Sequence, residues 1–74
     1  MSESIASCLI QTETIELAQF LKLADLCQSG GEAKFAIQNG QVTLNGAPET
    51  RRSKKLQVGD RVGYQGREVS VARA

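Results

Sequence analysis

Residues 29–46 read Ser29-Gly-Gly-Glu-Ala-Lys-Phe-Ala-Ile-Gln-Asn-Gly-Gln-Val-Thr-Leu-Asn-Gly46. The periodicity changes inside this stretch, and that change decides the fold class. Ser29 and Glu32 stand three apart, the spacing of a capping box in which each side chain satisfies an orphan amide at a helix start. The helix this predicts runs through Ala33, Phe35, Ala36 and Ile37, with Phe35 at a core position. It stops at Asn39-Gly40, where glycine suits a left-handed C-terminal residue. After Gly40 the period falls to two: Val42 and Leu44 alternate with Gln41 and Thr43. Asn45-Gly46 then supplies a type I′ hairpin turn. One segment therefore writes a helix and a hairpin back to back.

Working outward toward the N-terminus, Ile15, Leu17, Ala18, Phe20, Leu21 and Leu23 recur at helical spacing. They predict a first, core-forming helix, capped by Thr12, with Glu13 and Glu16 in its first turn and an end near Ala24 or Asp25. Cys8-Leu9-Ile10 reads as a short edge strand, and residues 1–7 as a polar, frayed start. Working outward toward the C-terminus, Pro48 restricts the returning arm of the hairpin to a short or edge strand. Leu56 and Val58 lead into a turn at Gly59-Asp60. Arg61–Tyr64 and Arg67–Val71 read as two more strands joined at Gln65-Gly66. The expected architecture is α+β: two helices packed on a small, mostly antiparallel sheet of short strands. At 74 residues the chain holds one core and is expected to be a single domain.

Charge is uneven along the chain. Residues 1–50 carry two basic side chains, Lys22 and Lys34, against six acidic ones, whereas residues 51–74 carry seven basic against two acidic. The densest cluster is Arg51-Arg-Ser-Lys-Lys55, directly after the predicted hairpin. A basic run held against a tight turn forms a rigid patch suited to a phosphate backbone. If the run is extended, alternation divides it, with Arg51 and Lys55 on one side and Arg52 and Lys54 on the other. The predicted second helix offers free amides at Gly30 and Gly31, with Lys34 about one turn in, an arrangement that suits an anion.

Several chemistries are excluded or disfavoured. The chain has no histidine, so it lacks the usual imidazole base and triad. Its acidic residues are scattered, and no glycine-rich nucleotide loop occurs. Cys8 and Cys27, without further ligands, cannot complete a structural zinc site. They are expected to be reduced, buried thiols. No cofactor or metal is expected. Neither the opening Met1-Ser-Glu-Ser-Ile nor any apolar run predicts a signal peptide or a membrane span, so a cytoplasmic protein is expected. Of the aromatics only Tyr64 offers a base-stacking candidate, and core or edge packing suits it better. Recognition through backbone and shape is favoured, as for structured RNA.

Taken in order, Ile15–Lys22, Ser29-Gly-Gly-Glu-Ala-Lys34, Ile37–Gly46, Arg51–Leu56 and Val58–Val62 resemble the S4-type RNA-binding domain. The resemblance is nearest to the small stand-alone bacterial YbcJ-type proteins and covers residues 15–71. It implies a helix-turn-helix-like pair, the alpha-L motif, that binds structured RNA, with ribosomal or ribosome-associated RNA the expected target. It also implies one RNA-facing surface of Ser29, Gly30, Gly31, Lys34, Arg51, Arg52, Lys54 and Lys55, with Lys22 a weaker candidate. Glu13 and Glu16 depart from the pattern, standing where many such domains carry a basic residue. The expected partners are structured RNA and neighbouring ribosomal proteins, and the expected state is monomeric. The alternative is a protein-interaction module using an acidic helix face. A ubiquitin-like sulfur carrier shares the look of the 41–48 hairpin, but Val71-Ala-Arg-Ala74 is not its Gly-Gly terminus.

Overall fold

A computed structural model describes residues 6–74. In chain order the elements are β1 (Ala6–Ile10), β2 (Ile15–Glu16), α1 (Leu17–Leu23), α2 (Gly30–Gln38), β3 (Val42–Leu44), β4 (Ala47–Pro48), β5 (Lys55–Leu56), β6 (Arg61–Tyr64) and β7 (Arg67–Arg73). The α+β reading holds, with both helices and a mostly antiparallel sheet. Five strands form the main sheet in the order β1-β7-β6-β3-β4, and β2 and β5 form a separate two-stranded ribbon.

The hairpins follow from turn chemistry. Asn45 and Gly46 both take positive φ, 52° and 90°, and Gln65 and Gly66 do the same at 53° and 79°. That double left-handed pair is the type I′ turn whose twist matches its flanking strands. It sets Leu44 against Ala47 and Tyr64 against Arg67. Pro48 lies in a two-residue edge strand, where its missing amide costs no ladder bond. β1 is the opposite edge and runs parallel to β7, Cys8 opposite Val71. A parallel pair needs a long connection, and here nearly the whole chain supplies it.

Alternation then sends Val42, Val62, Tyr64, Val69 and Val71 inward to meet Phe20, Leu21, Ala33, Ala36 and Ile37 in one buried cluster. Gly63 faces the other way, opposite Thr43. A Cβ there would come within 2.5 Å of the Thr43 hydroxyl oxygen, so the close approach of β3 and β6 requires glycine.

Several expectations need correction. Residues 1–5 of the expected frayed start lie outside the described residues, while Ala6 and Ser7 are paired strand. The first helix does not start at Thr12. Thr12 instead donates its hydroxyl to the Thr14 carbonyl, and Ile15–Glu16 pair with Lys55–Leu56, so the helix begins only at Leu17 with Glu16 as N-cap. As a result α1 contains no acidic residue and α2 only Glu32, and neither helix presents an acidic face. Phe35 is not a core residue: it is 64% exposed, because Ala33, Ala36 and Ile37 occupy the buried side of α2. Cys8 is half-buried on its edge strand, and only Cys27 is buried; both are free thiols. Burial raises both thiols above their ordinary range, and for Cys27 the Glu32 charge adds to it.

Candidate RNA-binding surface

The basic run is not a strand until its last residue. Arg51 to Lys54 form a β-turn closed by the Lys54 amide donating to the Arg51 carbonyl at 3.2 Å. The turn owes its place to the start of α1. A helix begins with amides that have no partner inside the helix. Here Leu17 donates to the Lys54 carbonyl at 2.9 Å and Ala18 to the Arg52 carbonyl at 3.1 Å. The backbone of the basic run thus caps α1, and Lys55 continues into the β2–β5 ribbon opposite Glu16.

This overturns the expected division of the run between two faces. Residues 51–55 curl into a turn and line one concave surface together. Before the turn, the Glu49 carboxylate accepts from both the amide and the Nε of Arg51, each at 3.1 Å. Those contacts, side chain first and backbone amide second, hold the Glu49 carboxyl below the ordinary carboxylate range. The Arg51–Glu49 contact is the one ion pair within 4.0 Å among the described residues. Lys34, Arg52, Lys54 and Lys55 have no ion-pair partner within 4.0 Å among the described residues.

The start of α2 is built as the capping pattern requires, with one difference. Ser29 Oγ accepts from the Glu32 amide at 3.1 Å, but the Glu32 carboxylate reaches back to the Gln28 amide at 2.9 Å rather than to Ser29. Its second oxygen faces the Tyr64 hydroxyl at 3.5 Å, a weak contact at the edge of hydrogen-bonding range. Glu32 is thereby turned toward the sheet. Tyr64 is buried, as its expected packing role required, and its hydroxyl is raised above the ordinary phenol range by burial first and then by neighbouring Cys27 and Glu32.

The two cationic segments meet. A groove of about 460 Å³ is lined by Glu16, Ala18, Gly30, Gly31, Lys34, Arg52 and Ser53. Four of the residues expected from sequence (Gly30, Gly31, Lys34 and Arg52) share this groove. Ser29 caps the helix immediately before it, and Arg51, Lys54 and Lys55 continue from its rim around the turn. Lys22 lies apart, beside Ile15, Gln19 and Leu23. Sequence reasoning missed Ser53, Glu16 and Ala18 as walls of the groove. Ser53 had a signal in its place amid the basic run, whereas Glu16 and Ala18 are brought in by the ribbon pairing.

Neither glycine of the groove is required by the fold. Both sit in the first turn of α2 with ordinary helical φ. A Cβ at Gly30 would meet nothing within 4 Å, and one at Gly31 only Ser29 Oγ at 3.9 Å. Glycine costs up to about 1 kcal/mol in a helix relative to alanine. Two of them where alanine would fit leave a floor of bare backbone between two cations.

Paired helices on a short-stranded sheet, with a basic turn tied to the first helix and opposite the start of the second, define an S4-type domain. The S4 domain family model matches residues 8–72, and the chain belongs to that family. It is 53% identical over 57 residues, 77% of this chain and 80% of the other, to the probable ribosome maturation protein RlbA of Bacillus subtilis (strain 168). It is 44% identical over 57 residues to YbcJ of Escherichia coli (strain K12), covering 77% of this chain and 81% of the other. The solution structure of YbcJ from E. coli, described as revealing an αL motif involved in RNA binding, superposes with a TM-score of 0.70. It has 37% identity over 97% of this chain and 92% of that one. The crystal structure of the 30S ribosomal protein S4e from Thermoplasma acidophilum shares the fold, with a TM-score of 0.59 at 19% identity. That match spans 78% of this chain and 31% of S4e.

Proposed function

We propose that this chain is a non-enzymatic module that grips structured RNA through its backbone phosphates, with ribosomal or ribosome-associated RNA as the target. The observation that carries the reading is the groove itself. Lys34 and Arg52 bound a floor of side-chain-free helix backbone, and neither cation has an internal ion pair. A phosphate seated there would meet the amides at the positive end of α2, the Lys34 ammonium and a guanidinium able to donate two hydrogen bonds. Arg51, Lys54 and Lys55 extend the contact along the strand. Rigidity matters as well as charge: the turn's backbone is bonded to α1, so binding has to order only its side chains.

The ribosomal target is supported by the ribosome maturation role in the name of the Bacillus relative. The role needs neither catalysis nor a cofactor. We place the protein in the cytoplasm as a single-domain monomer, touching ribosomal proteins where its RNA site adjoins them. No helix of the described residues is long and apolar enough to cross a membrane.

The test is a titration of purified ribosomal RNA against wild type and a double Arg51→Ala, Arg52→Ala variant over a range of salt. The variant should stay folded, bind more weakly and show a shallower dependence of log K on log salt. Unchanged affinity in a folded variant would overturn the reading. So would ribosome association that survives nuclease treatment unaltered, since that contact would be protein.

A further inference from the structure

Phe35 has no role in the fold or in the grip on phosphate, yet it is the most exposed of the large apolar side chains among the described residues, at 64%. The chain has two phenylalanines, one tyrosine and no tryptophan, and Phe20 and Tyr64 are buried in the core. The one exposed aromatic therefore stands on α2, beside Lys34 and one helical turn beyond Gly31. Residues four apart on a helix are neighbours on its surface. Long side chains lean toward the helix N-terminus and cover the turn before their own Cα. The place Phe35 leans over is thus that of Gly31, which has no side chain to cover the ring and which also floors the groove.

We propose that Phe35 is a stacking platform for an unpaired nucleobase of the bound RNA, at the nucleotide next to the phosphate held in the groove. The inference rests on the RNA-binding reading and deepens it from backbone grip to loop preference. A duplex keeps its bases stacked on one another, so a protein ring can stack only on bases in loops, bulges and ends. A single ring gives no hydrogen-bond readout, and the preference is for an unpaired base rather than for a sequence. Phe35 stands one turn beyond Gly31, which lines the groove together with Lys34 and Arg52, and that nearness to a cationic groove suits a nucleic-acid strand better than an apolar protein surface and selects the base as occupant.

The experiment uses two RNA probes of equal length: a stem with a purine-rich internal loop, and the same stem fully paired. Wild type should prefer the looped stem, and Phe35→Ala should lose that preference. The expected loss is roughly 5- to 100-fold on the looped stem, with little change on the paired one. Because stacking neutralises no phosphate, the salt slope of Phe35→Ala should match wild type. Phe35→Trp gives the chain a single indole, whose fluorescence should be quenched by the looped stem and not by the paired one. An unchanged thermal midpoint for Phe35→Ala shows that the fold is intact, as expected for an exposed side chain.

Equal losses on both probes, or no loss on either, would overturn the stacking assignment. Concentration-dependent dimerisation removed by Phe35→Ala would also overturn it, by giving the face to a second copy. If the double arginine variant loses affinity and Phe35→Ala does not, stacking alone falls. If the double variant binds like wild type, the RNA-binding reading falls and takes stacking with it.

Discussion

The amide of Leu17 donates to the carbonyl of Lys54 at 2.9 Å, which makes the first residue of α1 and the basic turn one backbone unit. Leu17 is fully buried in the core, so the turn is fixed from the core outward. The bond satisfies an amide that any helix start leaves open, and the carbonyl that satisfies it belongs to a residue whose side chain is free to meet an anion. A need of the fold and a need of the site are met by one contact.

That placement ranks the arginines. Arg51 already shares its Nε and amide with Glu49, whereas Arg52 lines the groove without an ion pair. Arg52→Ala should therefore cost more RNA affinity than Arg51→Ala, on the order of 1.5–3 kcal/mol for a lost charge-assisted contact. It should lower the salt slope by about 1. Titrations of the two single variants over a salt series check the order, and equal losses would contradict it.

The order in which sequence failed and succeeded has a physical pattern. Much of what local turn and capping chemistry governs was readable: the Ser29 cap, the end of α2 at Asn39-Gly40, the type I′ turn at Asn45-Gly46, the tight turn at Gln65-Gly66 and the edge position of Pro48. What depended on distant pairing was not. Ile15-Glu16 looks like the first turn of a helix until β5 arrives from forty residues away to claim it. Phe35 looks like core until Ala33, Ala36 and Ile37 are seen to fill that side. Asn45 and Asp60 belong to separate turn signals, yet Asn45 Nδ2 donates to Asp60 Oδ1 at 3.1 Å and clasps the two turns together. Of the candidate site, the residues are those the family resemblance implied. The resemblance also implied that they share a surface; what it did not supply is the turn of the basic run, which read as a strand would have divided its cations.

Gly63 is the glycine held by a close side-chain neighbour rather than by a positive φ. A methyl group there meets Thr43 Oγ1 at 2.5 Å across the β3–β6 pair. Gly63→Ala must rotate Thr43 or part the strands, costing about 1–3 kcal/mol as other overpacked sites do. Chemical denaturation checks the loss, and a second substitution, Thr43→Ala, should restore most of it by removing the obstructing oxygen.

Glu49 gives the turn a pH dependence of known sign. Its carboxyl is held below the ordinary carboxylate range in the folded protein by Arg51, so between the folded and unfolded values the unfolded chain binds more protons. The stability it contributes is present above the ordinary carboxylate range and is lost as pH falls through the folded value. The pair lies at the surface, with the Arg51 side chain 70% exposed, which keeps the contribution under about 1 kcal/mol. Thermal midpoints of wild type and Glu49→Gln should differ slightly at neutral pH and converge in acid. A difference that grows on acidification would contradict the assignment.

Gly31→Ala separates stability from function most cleanly. The helix conformation at residue 31 is open to any residue, and the added methyl meets only Ser29 Oγ at 3.9 Å. Replacing glycine by alanine in a helix lowers the entropy of the unfolded chain, and a gain of about 0.4–1 kcal/mol is expected. The same methyl stands in the groove lined by Lys34 and Arg52, where a phosphate held as proposed would have to come within hydrogen-bonding distance of a backbone amide. Removing that approach should weaken RNA binding, while the salt slope stays near wild type because every cation remains. A more stable protein that binds RNA less well is the outcome expected of a glycine kept for its ligand. A variant more stable and equally tight would show instead that the phosphate is held by side chains alone.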